Sequence, residues 1–274
     1  MSSNKKLWAL WGVALLCGNV NAGSSETAAP VLWREPTDIA SRNLLEGPGG
    51  KEHEPHPPFT FVKEDMEGSN PKFDIKDQDG VKWKVKLGTE AKPETVATRL
   101  VWSIGYFANE DYFLPNFRAQ GMPAHLQRGN SLVQPDGSIQ NVRLKRYSEG
   151  EKKIGSWQWR KNPFSDTREL NGLRVMMAVI NNWDLKDDNN AIYREKHSEA
   201  GGGPEVVYLV SDLGSSFGTT NFIANDKAKG NIDAYVHSKF ISKGEERSGG
   251  FVDFEDPHRP ALLLPSTRPS LSAG

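Results

Sequence analysis

The chain has 274 residues, a formal net charge of −1 and one cysteine, Cys17. The near-neutral balance excludes the basic excess of a nucleic-acid-binding surface, and a single cysteine excludes a disulfide framework. The length is enough for one large domain or two small lobes with a sizeable core.

Lys5 and Lys6 form a positive start, and residues 7–17 (LWALWGVALLC) form an apolar run of 11 residues. A membrane-spanning helix needs about 20. Val20-Asn21-Ala22 then supplies small residues at a cleavage position, so residues 1–22 read as a signal peptide. Cleavage near Ala22 would leave an exported chain, periplasmic or secreted. Leu16 stands where a lipidation signal at Cys17 would place a small residue. No later stretch is apolar enough to span a membrane.

Residues 23–58 read as a flexible lead and linker. Residues 37–46 could form one short helix capped by Thr37, and the run GPGGKEHEPHPP at 47–58 denies regular hydrogen bonding. His53 and His56 lie in that run, where they read as solvated histidines, with a metal-binding pair as the alternative. The ordered domain is expected over 59–257, with a Pro- and Ser-rich tail at 258–274. Strands are expected at 59–63, 73–76 and 81–87, separated by turns at Gly68-Ser69-Asn70-Pro71 and at 77–80. In the third strand Val81, Trp83 and Val85 face one way and Lys82, Lys84 and Lys86 the other. A helix follows over 93–104, with Pro93 early in it and Gly105 ending it. Residues 106–161 mix short strands and loops. Asp166 or Thr167 caps a second helix whose buried stripe is Leu170, Leu173, Met177 and Ile180. Residues 206–210 (VVYLV) make a buried strand, and the fold class is α+β.

The chemistry is concentrated in two segments. Asn182-Trp183-Asp184-Leu185-Lys186-Asp187-Asp188-Asn189 follows the second helix, and Ser211-Asp212-Leu213-Gly214 follows the apolar strand. Phosphoryl transfer from a nucleotide needs a carboxylate to orient the acceptor hydroxyl, an Asn and a second Asp to hold divalent metal, and a Lys on the phosphates. Asp-x-x-x-x-Asn in a loop, followed by strand-Asp-x-Gly, supplies the first three.

These residues resemble the protein-kinase-like superfamily, in an atypical branch of HipA-type or secreted kinase-like proteins. Asp184-Leu185-Lys186-x-x-Asn189 is similar to the catalytic loop, and Asp212-Leu213-Gly214 to the metal-binding motif. The resemblance implies Asp184 and Lys186 as catalytic residues, and Asn189 and Asp212 as ligands of Mg²⁺ or Mn²⁺. Lys86 would grip the phosphates of ATP, paired with Glu94, and Lys84 is the alternative lysine. The turn at Gly68 and Ser69 would cover the phosphates, though with one glycine rather than three. A small β-rich N-lobe at about 59–145 would face a reduced helical C-lobe at about 146–257. The phosphoacceptor, whether protein, lipid or sugar, is not indicated, and a monomer is expected. The alternative is a non-catalytic exported binding protein of the cell envelope, a pseudokinase or a calcium-stabilised module.

Other readings compete. Asp184, Asp187, Asp188 and Asn189 could form a calcium loop, although without EF-hand spacing. Gly214-Ser215-Ser216-Phe217-Gly218 matches a nucleophile elbow, with Asp233 and His237 or His258 completing a triad, but no helix start follows it. Trp157-Gln158-Trp159 could be an aromatic platform or core. Lys145, Arg146, Lys152, Lys153, Arg160 and Lys161 make a basic stretch able to receive an acidic or phosphate-bearing substrate, or simply a solvated surface.

Overall fold

A computed structural model of the chain describes residues 28–147, 152–195, 205–221, 226–238, 242–243 and 252–253. Residues 1–22, read in the sequence as a signal peptide, most of residues 239–257, and the 258–274 segment, with His258, lie outside the described residues.

Two sheets and two helices position the site. Strands β2 (Phe59–Asp65), β3 (Lys72–Lys76) and β4 (Lys82–Lys86) form an antiparallel meander, and helix α1 (Ala91–Ser103) follows. The chain then adds β5 (Asp111–Phe117), the short β6 (Ala119–Gln120) and β7 (Ile139–Arg146). The six-stranded order is β5-β7-β4-β3-β2-β6, antiparallel except for the β2–β6 edge. A second sheet has the order β1-β10-β9-β8, with β1 (Pro30–Val31), β8 (Lys152–Gly155), β9 (Asn190–Glu195) and β10 (Glu205–Val210). Helix α2 (Arg168–Val179) lies between β8 and β9 in the chain.

The alternation read in the sequence sets the two faces of the larger sheet. Trp83 and Val85 of β4, Phe73 and Ile75 of β3, and Val142 and Leu144 of β7 are buried together on one face. Leu126, from the connection after β6, is buried in the same core. The opposite face is charged, because a period of two sends every other residue there. Register places Lys72, Lys86 and Arg143 in one row across the strands, and Asp74, Lys84, Lys145 and Asp111 in the next.

A second core gathers around α2. Thr167 caps this helix by accepting a hydrogen bond from the Leu170 N–H. The expected stripe of Leu170, Leu173, Met177 and Ile180 is buried. Ala97 and Val101 of α1 join this core, so α1 sends apolar residues to α2 and polar ones to the charged face of the large sheet. Gly105 ends α1 at φ +95°, and a Cβ there would stand 2.2 Å from the Arg34 carbonyl oxygen.

The segment before residue 59 departs from its reading as a flexible lead and linker. β1 adds in parallel to β10, and Leu32 is buried in the α2 core. Residues 37–46 hold only a single 3₁₀ turn, Ile39–Ser41. Residues 47–58 pack in turns beside β5, where the Tyr112 hydroxyl donates to the Gly50 carbonyl at 2.7 Å. Proline and glycine deny this stretch a ladder, but they leave it free to be held by side chains. His53 and His56 each face one carboxylate, Glu110 at 3.0 Å and Asp79 at 2.6 Å, and share no site.

Candidate functional site

The site is built on Lys86, the last residue of β4. The strand period turns it away from the apolar core, and the left-handed Gly88 (φ +86°) then swings the chain into α1. Glu90 and Glu94 follow at four-residue intervals, on one side of the first turns of the helix. The Lys86 Nζ lies 3.1 Å from Glu90 Oε2, 2.7 Å from Glu94 Oε2 and 3.0 Å from Asp212 Oδ1. The lysine is 4 % exposed. Burial disfavours its charge, but the carboxylates of Glu94 and Asp212 outweigh burial and hold its pKa above the usual value.

Arg143, opposite Lys86 on β7, extends the network. Its guanidinium donates to Glu94 Oε1 at 2.7 Å and lies 3.6 Å from Asp111, whose carboxylate accepts from the Thr98 hydroxyl at 3.0 Å. Glu94 is therefore fully enclosed between two cations. Burial pushes its carboxyl upward, while Arg143 and Lys86 pull it back. For Asp212, burial is opposed more strongly by Lys86 and Arg143, so its pKa lies below the ordinary carboxylate value.

The loop after α2 is tied to the end of β10. The Asn189 carbonyl accepts from the N–H groups of Ser211 at 2.8 Å and Asp212 at 3.2 Å, which sets Asn189 and Asp212 side by side. Asn189 Nδ2 donates to the Asp184 carbonyl at 2.6 Å, and this leaves its Oδ1 for another partner. Asp212 uses Oδ1 for Lys86 and for the Gly214 N–H, while its side chain remains 42 % exposed. Asp184 pairs with Lys186 at 2.9 Å.

A cavity of about 640 Å³ opens over this cluster. Lys86, Glu94, Asn189 and Asp212 line it; Asp184, Lys186, Gly68 and Ser69 do not. Gly68 and Ser69 are exposed in the bend between β2 and β3. Lys84 lines the cavity too, but it pairs with Asp65 and, at 3.6 Å, with Asp74 rather than with Glu94. Comparison with protein-family models, curated proteins and solved structures finds no match to the chain.

Several residues of the cluster were not singled out in the sequence. Glu90, 3 % exposed, accepts from Asn70 Nδ2 at 2.6 Å and pairs with Lys86 and Lys229. Its side chain also lies on Gly214, where a Cβ would stand 2.5 Å from Glu90 Oε2. The signal for Glu90 was its helical spacing between Lys86 and Glu94. Asn70, rather than its neighbours Gly68 and Ser69, is what the β2–β3 bend contributes. Arg143 is legible only once the β4–β7 register is known.

The competing readings are changed by the structure. Ser216 is completely buried, a strand (Thr219–Asn221) rather than a helix follows it, and the His237 ring faces the backbone carbonyl of Asp233. The elbow geometry is therefore missing. The rings of Trp157 and Trp159 lie 4.8 Å apart inside the α2 core, so they do not form an exposed platform. In the proposed calcium loop, Asp187 accepts from the Trp159 N–H while Asp184 pairs with Lys186. Among the described residues the three acidic side chains that converge are instead Glu90, Glu94 and Asp212. No helix among the described residues is long and apolar enough to cross a membrane.

Proposed function

We propose that the protein is a metal-dependent phosphotransferase of the kinase-like type, which moves the γ-phosphoryl group of ATP to a hydroxyl acceptor. The observation that carries this reading is the Lys86–Glu94–Asp212 contact, with both carboxylates within 3.0 Å of the ammonium. The lysine comes from the third strand of a meander and the glutamate from the helix that follows it. The aspartate comes from the end of a strand 126 residues further on. Phosphoryl transfer by kinases requires this lysine–glutamate pair and a metal-holding aspartate together.

The large sheet with α1 would form the N-lobe and the α2 core the C-lobe, with the cavity between them. Asn189 Oδ1 and the exposed part of the Asp212 carboxylate are hard oxygen donors set side by side, a donor set that fits Mg²⁺ or Mn²⁺. Bound metal would neutralise charge on the phosphates and polarise the transferred group. Lys86, held in its charged form by Glu94, would bind phosphate oxygens. Glu94 is in turn fixed by Arg143, so the lysine is aimed before ligand arrives. Asp184 would orient the acceptor hydroxyl once its carboxylate leaves Lys186.

One observation favours a second reading, a binding protein that keeps the fold without turnover: the Asp184 carboxylate pairs with Lys186 and does not line the cavity. A thermal-shift titration of the exported chain with ATP, with and without Mn²⁺ or Mg²⁺, tests the site. Ligand bound only to the folded state adds about 2.7 kcal/mol at a hundredfold excess over Kd. A metal-dependent shift that Asp212→Ala removes is expected, and absence of any nucleotide response refutes the reading. Phosphate transfer to water or an acceptor, lost in Asp184→Ala, then separates an enzyme from a binding protein.

A further inference from the structure

The charged face of the large sheet extends beyond Lys86, and its charges are not balanced. Nine lysines and arginines line the cavity against six carboxylates among the described residues. Most of these cations have partners: Lys72 and Lys84 face Asp65, Arg143 faces Glu94, and Arg146 faces Glu110. Lys145 does not. Among the described residues its side chain makes no hydrogen bond or ion pair, although it is half-buried and lines the cavity.

Its position explains why. On β7, Lys145 stands two residues past Arg143 on the same face, about 7 Å along the strand. Its cross-strand neighbours are Lys84 on β4 and Asp111 on β5. Asp111 is fully buried and engaged by Thr98 and Arg143, while the carboxylates near Lys84 are taken by Lys84 itself. Lys153, on β8 and exposed, lines the same cavity and also lacks a side-chain partner among the described residues. A half-buried cation that makes no contact pair, with Asp111 and Glu94 acting on it only from a distance, is under-compensated, and a ligand that brings a counter-ion removes that cost. The same imbalance acts on its protonation: burial first, and the neighbouring Arg143 charge second, outweigh the carboxylates of Asp111 and Glu94 and lower the Lys145 pKa to about 8.

We propose that Lys145 is the centre of a second anion-binding subsite in the cavity, separate from the Lys86–Asp212 end, which takes an oxyanion (phosphate or carboxylate) carried by a small-molecule ligand. Such a ligand would present one anionic group to Lys145, with a second group at the metal-binding end, about 7 Å or more away by the strand spacing. This subsite does not depend on the nucleotide reading, because it needs neither metal nor Asp212.

The probes are inorganic phosphate and citrate, titrated into the exported chain without metal or nucleotide, at ionic strength held constant with sodium chloride. A rise in Tm with either probe is expected. Lys145→Met is expected to weaken that response about tenfold or more, the weight of a charge-assisted hydrogen bond, and Lys145→Arg to retain it. Phosphate alone, or citrate alone, would identify the oxyanion. A second measurement avoids the variants: amine modification of the native protein, mapped by mass spectrometry, should label Lys145 and be blocked by the effective probe. No Tm response to either probe, an equal response in Lys145→Met, or unprotected labelling of Lys145 would each overturn the proposal. A metal-dependent ATP shift lost in Asp212→Ala, measured in parallel, reports on the phosphotransferase reading separately.

Discussion

Glu94→Ala tests the buried network most directly. Glu94 is completely enclosed, 2.7 Å from Lys86 on one side and 2.7 Å from Arg143 on the other. Truncation leaves Lys86 with Glu90 and Asp212, but it leaves the buried Arg143 with only Asp111 at 3.6 Å. Removing one partner of a buried ion pair costs about 3–5 kcal/mol, since the remaining charge stays desolvated. In a chain of this size each kcal/mol lowers Tm by about 2–4 °C, so a loss of about 6–20 °C is expected. Calorimetric unfolding of wild type, Glu94→Ala, Arg143→Ala and the double variant would measure it. The two substitutions should fall short of additivity by more than about 1 kcal/mol, because the second removes a charge the first had already orphaned. A Glu94→Ala loss below about 1 kcal/mol, or strict additivity, would mean that solvent reaches the pair and that Lys86 is not held in place by it.

Three further outcomes follow from other parts of the fold. The folded pKa of Lys145, about 8, lies below its unfolded value of about 10.4, so between these pH values the unfolded chain binds more protons and stability rises with pH. Lys145→Met should therefore be the more stable protein at pH 7, by about 1–2 kcal/mol after allowing for partial exposure. Urea midpoints should converge with wild type at about pH 10.5, and parallel curves would contradict this. Gly214→Ala must displace Glu90, which a Cβ would approach to 2.5 Å, so a loss of about 1–3 kcal/mol and a weakened metal–nucleotide response are expected in thermal shift. Asp77 accepts from Asp79 N–H, Val81 N–H and, at 2.9 Å, the buried Trp83 indole. Asp77→Ala should cost about 1–3 kcal/mol by chemical denaturation, and Asp77→Asn, which keeps an acceptor, clearly less.

What could be read from the sequence depended on how local the cause was. The alternation Lys82–Lys86 fixes which residues enter the core, and Thr167 with the Leu170–Ile180 stripe fixes α2, because neighbours within a few residues decide both. The order Lys86, Glu94, Asn189 and Asp212 needed only motif spacing. The packed segment before residue 59 was hidden, since its hydrogen-bond partners are far along the chain: β1 is held by β10, where Pro30 stands beside Val206. Trp157 and Trp159 share a face by alternation, but only tertiary packing says that this face is internal. Lys145 looked like any residue in a basic run. Its isolation follows from the register of three strands and from which carboxylates its neighbours already occupy.

The two ends of the cavity should differ in what they need before an anion can bind. Around Lys86 the carboxylates of Glu90, Glu94, Asp111 and Asp212 outnumber the cations Lys86, Arg143 and Lys229. A bare phosphate chain would meet the cavity-lining carboxylates Asp212 and Glu94 as like charges, in surroundings where water screens them poorly. A divalent cation beside Asp212 and Asn189 reverses that balance and leaves Lys86 as a donor toward the incoming group. Nucleotide should therefore bind that end only with metal. At Lys145 the imbalance has the opposite sign, and an oxyanion should bind there without any metal. A metal-free ATP response that survives Lys145→Met but disappears in Lys86→Met would show that the carboxylates move aside on their own, and would remove the electrostatic reason for metal to come first.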